Sequence, residues 1–198
     1  LPGVILATPP HLSDGKSIPP KADRLVVDIG MSAETARRKL NYGDRITLDG
    51  PLTPLLGDRV AAASLDDRAG CAAVIGAAKL LRECAAAEIS VALVSQEEVG
   101  SAGAATAAYA LAPDFAFAVD VSFGSTPDDR PEDCAEIGKG PMIGFAPILD
   151  RALSRRLTET AQKHGIPYQT EIIGSRTGTD ADFIAVSRGG VRTGLLSI

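Results

Sequence analysis

Apolar positions along this chain follow two rhythms. Over residues 1 to about 57 they come as short runs, GVILA, RLVVDIG and RITLDG, parted by proline and glycine clusters such as TPPH, IPP and GPLTPLLG. Runs of that length between breakers predict strands, so this part reads as β-rich, with one short helix in SAETARRKL. From about residue 58 longer segments alternate. DDRAGCAAVIGAAKLLREC, SAGAATAAYALA, ILDRALSRRLTETAQKHG and DADFIAVSRGG read as helices, the third closed by Gly165. Between them ISVALVSQ reads as a buried strand, and FAFAVDVS, YQTEII and VRTGLLSI as further strands. The alternation predicts an α/β fold, a mixed sheet flanked by helices over residues 58–198, beside a small β-rich domain over residues 1–57.

In an open α/β sheet, ligands gather beyond the carboxyl ends of the strands. Acidic residues fall at such places: Asp66 and Asp67 at the entry to a helix, Glu97 and Glu98 where a strand stops, and Asp120 inside another strand. Carboxylates brought together repel one another and resist leaving water unless a proton or cation compensates. A divalent metal does so, because oxygen anions ligate it. On an extended segment Glu97 and Glu98 point to opposite sides, so one can bind a metal while the other takes a proton from a metal-bound water. Plainer readings stand beside this one. Asp66 and Asp67 could cap a helix, Glu97 and Glu98 could be solvated loop charges, and Thr179 or Asp180 in SRTGTDAD could cap the helix after it. Asp120 resists such a reading, since a lone carboxylate between FAFAV and VSFG interrupts a buried run.

Composition narrows the partners. A chain of 198 residues with 45% hydrophobic content can bury a real core. Its 20 basic against 25 acidic residues, a net charge of -5, give no basic field for nucleic acid. No apolar run approaches the roughly 20 residues that cross a bilayer, and the proline-broken start lacks the basic flank of a signal peptide. A soluble, cytoplasmic protein without membrane or nucleic-acid partners is expected. Cys71, Cys84 and Cys134, odd in number and without a CxxC pair, suit a reducing compartment. The start at Leu1 and the end in a strand without a cap suggest that both ends of a longer protein are absent.

At the acidic residues the sequence becomes recognisable. AASLDDRAG, SQEEVGSAGA, AVDVSFGSTP, IGKGPMI and GTDADFIAVSRGGVRTGLLSI resemble, in order and spacing, the tetrahedral-type metallo-aminopeptidases, the family of glutamyl and deblocking aminopeptidases, some of whose members have been labelled endoglucanases. The resemblance implies a site for two divalent ions (zinc, cobalt or manganese) on the α/β domain, where a metal-bound hydroxide attacks and the N-terminal residue is cut from a short peptide. It also implies an inserted β domain making dimer contacts within a dodecameric shell. Carried across residue by residue, Asp66 would bridge both metals, Glu97 would be the catalytic base, Glu98 would be a terminal ligand of one metal and Asp120 would ligate the other. Asp180 would line the substrate pocket.

That family also uses two histidine ligands, in segments that flank the part matched here. His11 and His164 do not correspond to them: His11 reads as a loop residue and His164 as a favourable charge at a helix C-terminus. Two alternatives remain open, a carboxylate-based glycoside hydrolase and a non-catalytic oligomeric homologue with an incomplete metal site. The absence of Trp and 4% aromatic content weigh against the sugar platform that the first would need.

Overall fold

The structure is a computed structural model that describes residues 1–6, 21–82, 86–125, 127 and 134–198. His11, Cys84 and the TPPH and IPP clusters lie outside the described residues. The chain divides into two units, Leu1–Asp49 and Gly50–Ile198.

In the first unit β1 (Val4–Leu6) and β2 (Val26–Asp28) pair antiparallel, with Ile5 opposite Val27. Helix α1 (Ala33–Lys39) forms where SAETARRKL predicts it, because the Ser32 hydroxyl accepts from the Thr35 N–H. Glu34 in its first turn and Arg37, Arg38 and Lys39 in its last complement the helix dipole. The RITLDG run is not a strand: it joins no ladder, and Ile46 and Leu48 are 72% and 73% exposed. An alternating apolar run becomes a strand only where a neighbour takes its backbone hydrogen bonds.

The second unit opens with a short antiparallel hairpin, β3 (Thr53–Pro54) with β4 (Val60–Ala61). Its helices are α2 (Leu65–Leu81), α3 (Ala102–Leu111), α4 (Arg151–His164) and α5 (Ala181–Ile184). Its strands β5 (Phe115–Asp120), β6 (Met142–Phe145), β7 (Gln169–Ile172) and β8 (Arg192–Ser197) form one sheet in the order β5-β8-β6-β7. β5 runs parallel to β8 and β6 parallel to β7, whereas β6 meets β8 antiparallel, so the sheet is mixed. Strand β6 has no counterpart among the strands expected from sequence. Conversely, the ISVALVSQ run expected as a buried strand lies in no ladder, and Ile89, Val91 and Leu93 are exposed. Helix α5 is also shorter than DADFIAVSRGG suggested, since Ser187 and Gly190 turn the chain back through bonds to Ile184 and Ser187.

Each face of the sheet has its cover. On one face Ala118 of β5 and Leu195 of β8 pack with Ala181 of α5 and with Leu149, forming the core cluster. On the other, α4 lies close enough for Leu153 to sit 3.8 Å from where a Cβ on Gly194 would be. Asp150 starts α4 by accepting from the Ala152 and Leu153 N–H groups and from Arg192 Nε, and Gly165 ends it in the left-handed conformation.

One close approach fixes the Glu97 segment. A Cβ on Gly103 would fall 2.2 Å from the Ser95 carbonyl oxygen, to which the Gly103 N–H donates. Only glycine lets α3 hold that carbonyl two residues before Glu97. Gly103→Ala is therefore expected to cost about 1–3 kcal/mol by overpacking. Gly76→Ala in α2, where nothing lies within 4 Å of the new Cβ, should instead stabilise by about 0.5–1 kcal/mol. Denaturant unfolding of the two variants checks the contrast; equal effects would discount the close approach.

Candidate metal centre

Alternation along the β5–β8 ladder builds the site. Asp120 is the last residue of β5 and pairs with Ser197, two positions beyond the pair Ala118 and Leu195 that α5 covers. All four side chains share one face. The apolar cover gives out just where Asp120 begins, leaving its carboxylate half-buried. Its Oδ1 accepts from its neighbour, the Val121 N–H, at 2.8 Å.

Three further segments converge on it. At the start of α2, Asp66 and Asp67 both have non-helical backbone angles. Asp67 Oδ1 accepts from the Gly70 N–H at 2.8 Å, so Asp67 performs the capping and Asp66 does not. At the second segment the chain is not extended: Glu97–Val99 form a single 3-10 turn entered through Gln96 in the left-handed region. The turn separates the two glutamates, leaving Glu97 half-buried and Glu98 exposed. The third is the N-terminus of α5. There the Thr179 hydroxyl accepts from the Ala181 N–H, while the buried Asp182 carboxylate accepts from the Thr177 and Gly178 N–H groups and the Thr177 hydroxyl. Thr179 and Asp182 shape the turn, and Asp180 makes no capping bond. The Asp180 Oδ1 is buried without a hydrogen-bond partner.

The electrostatics record the convergence. Burial pushes the Asp120 pKa from 3.8 up to about 6, against the pull of the Val121 N–H, and the charges of Asp67, Asp66 and Asp180 add to the rise. Burial likewise raises Glu97, with Asp120, Asp180, Glu98 and Asp66 all acting in the same direction. Asp67 is raised first by burial, then by Asp66 and Asp180. Asp180 is raised by burial despite the Ser101 hydroxyl. Asp66, Asp67, Glu97, Asp120 and Asp180 therefore share one electrostatic neighbourhood, and Glu98 acts on it through Glu97. Sequence reasoning counted Asp67 with Asp66 among the acidic residues but gave it no metal role, and it passed over Asp182, although the TGTDAD run of small and acidic residues was the available signal.

Among the described residues no group of three or more His, Cys, Asp or Glu side chains is arranged to hold a metal ion. The donor set nevertheless fits divalent cations in its chemistry: all-oxygen, anionic, mutually repelling, with the Asp180 Oδ1 buried and unsatisfied. His164 is not part of it. That residue is exposed in the last turn of α4, on the helix that covers the opposite face of the sheet. An open cleft lined by Arg151, Arg155, Arg156, Glu159 and Arg192 likewise lies with α4, at the far end of β8 from Ser197.

Comparison with known proteins supports the mixed α/β fold. The lysyl aminopeptidase of Pyrococcus furiosus is 36% identical over 203 residues, covering 99% of this chain and 58% of that protein. Among solved structures, aminopeptidase APDkam598 from the archaeon Desulfurococcus kamchatkensis superposes with a TM-score of 0.82 at 31% identity, over 99% of this chain and 56% of its own. The TET1 peptidase of Pyrococcus horikoshii, which can assemble into a tetrahedron or a large octahedral shell, superposes at 0.77 with 34% identity, over 99% and 59%. The chain thus spans a little over half the length of these relatives. Residues 1–198 match throughout the family described as M42 glutamyl aminopeptidase, and the chain belongs to that family.

Proposed function

We propose that this chain supplies the carboxylates of a two-metal aminopeptidase that removes N-terminal residues from short peptides. The observation that carries the reading is the gathering of Asp66, Glu97, Asp120 and Asp180, from four separate segments, into one electrostatic neighbourhood at the carboxyl end of β5. Asp66, Glu98 and Asp120 would hold two divalent ions, zinc, cobalt or manganese, with Asp66 shared between them. When bound, the ions polarise the scissile carbonyl and cancel the repulsion among the carboxylates. Glu97 is the general base: half-buried and holding a proton more readily than an ordinary carboxylate, it takes one from the attacking water and passes it to the leaving amine. Asp180, whose Oδ1 is buried and unsatisfied, offers an acceptor to the substrate's free ammonium group.

The β-rich N-terminal part, residues 1 to about 57, serves in this reading as the dimer-forming module of a dodecameric shell in the cytoplasm. Its support is the assembly of the Pyrococcus horikoshii relative. Among the described residues no helix is long and apolar enough to cross a membrane.

Glu97→Gln is expected to lower peptidase turnover by roughly 10²–10⁴-fold while metal content, read by elemental analysis, stays near that of the parent. Full activity in this variant would remove Glu97 from the chemistry. Chelation with EDTA should abolish peptidase activity, and added zinc, cobalt or manganese should restore it and raise the melting temperature, because an ion that binds only the folded carboxylates stabilises them. Persistence of activity after exhaustive chelation would count against the two-metal reading. The metal-free protein should also lose stability as pH rises from about 4 to about 6. Asp120 binds its proton more tightly folded than unfolded, so ionisation through that window favours the unfolded chain. Thermal melts in chelator across this range should flatten in Asp120→Asn; an unaltered profile would show that the burial of Asp120 does not matter.

A further inference from the structure

A second carboxylate system lies beside Asp120 and is used by nothing above. Glu171 of β7 accepts from the Ser122 hydroxyl through Oε1 and from the Ser197 hydroxyl through Oε2, each at 2.7 Å. Ser122 stands two residues after Asp120, and Ser197 is its cross-strand partner. Met142 pairs with both Gln169 and Ser197, so alternation places Glu171, Ser197, Asp120 and Ser122 on the same face of the sheet. Strand β6 separates β7 from β8, which means that Glu171 reaches past an intervening strand to tie down the ends of two others. Two backbone bonds also join those ends, from Ile198 N–H to the Asp120 carbonyl at 2.9 Å and from Ser122 N–H to the Ile198 carbonyl at 3.3 Å. Among the described residues no cation pairs with Glu171; its partners are the two hydroxyls.

We infer that Glu171 is a positioning residue for Asp120, clamping the carboxyl ends of β5 and β8 through Ser122 and Ser197 so that the Asp120 carboxylate is held at the site. An ionised carboxylate only accepts hydrogen bonds, so both hydroxyls must donate to it and neither can turn away. Partners of this kind, one shell out from a ligand, set its orientation and hence the affinity for the ion. The inference rests on the reading of Asp120 as a metal ligand.

The test uses the intact protein and two readouts. Hydrogen exchange in the metal-free state should quicken at the Ser122 and Ile198 amides in Glu171→Ala and stay unchanged at Phe117 and Leu195 in the ladder interior. Zinc affinity, titrated directly, should fall about 10–100-fold, with the melting temperature of the metal-free protein little changed. Glu171→Gln, which keeps two hydrogen-bonding atoms, should recover part of both effects and guards against a failure of the alanine variant to fold. Unaltered exchange at Ser122 and Ile198 overturns the clamp whatever zinc does. Faster exchange with unaltered zinc affinity, where Asp120→Asn weakens it, overturns the positioning role. If Asp120→Asn itself leaves zinc binding intact, the metal reading of Asp120 has failed, and the exchange result alone decides the clamp.

Discussion

The parallel ladder between β5 and β8 is the constraint from which the site follows. It aligns Phe115 with Arg192 at one end and Asp120 with Ser197 at the other, and it forces Ala118 and Leu195 into the core while the residues two steps on emerge from it. A carboxylate at that last rung is half-desolvated and costs free energy when ionised. The structure then surrounds it with more of the same charge. Asp66 and Asp67 come from one turn, Glu97 from a second and Asp180 from a third, and their charges push their neighbours toward protonation. A fold that assembles such a group at a sheet's carboxyl edge has placed its least favourable electrostatics where open α/β sheets hold ligands.

Several short-range devices hold these turns. Asp67 caps α2, Thr179 caps α5, and Asp182 gathers the Thr177 and Gly178 N–H groups. Gly103 lets α3 touch the backbone at Ser95, two residues before Glu97. In two of the turns a residue that satisfies backbone donors sits beside an acidic one that does not: Asp67 beside Asp66, Thr179 beside Asp180. In those two turns the division of labour leaves Asp66 and Asp180 uncommitted to capping.

Membership of the M42 glutamyl aminopeptidase family covers the whole chain, which in turn spans a little over half the length of the relatives it matches. Asp120 of β5 and the acidic residues of the three turns around it all belong to the part matched by those relatives. Glu98 reaches the group only through Glu97, because the 3-10 turn exposes it.

What the sequence determined by itself is local. The helical spacing of α1 to α4, the stop at Gly165 and the strands β5, β7 and β8 were legible because each depends on residues a few positions apart. The lone Asp120 in an apolar run announced a site for the same reason. Tertiary structure decided whatever depends on a partner distant in the chain. The ISVALVSQ and RITLDG runs have strand composition, yet they lie in no ladder, since among the described residues no strand pairs with them. Met142–Phe145, with a glycine in a short run, gave little pattern and became a central strand because β7 and β8 both pair with it. The separation of Glu97 from Glu98 came from a tight turn rather than from strand alternation. The meeting of Glu171 with Ser122 and Ser197 was beyond any local reading, because hydrogen bonds between side chains so far apart exist only once the sheet order has been set.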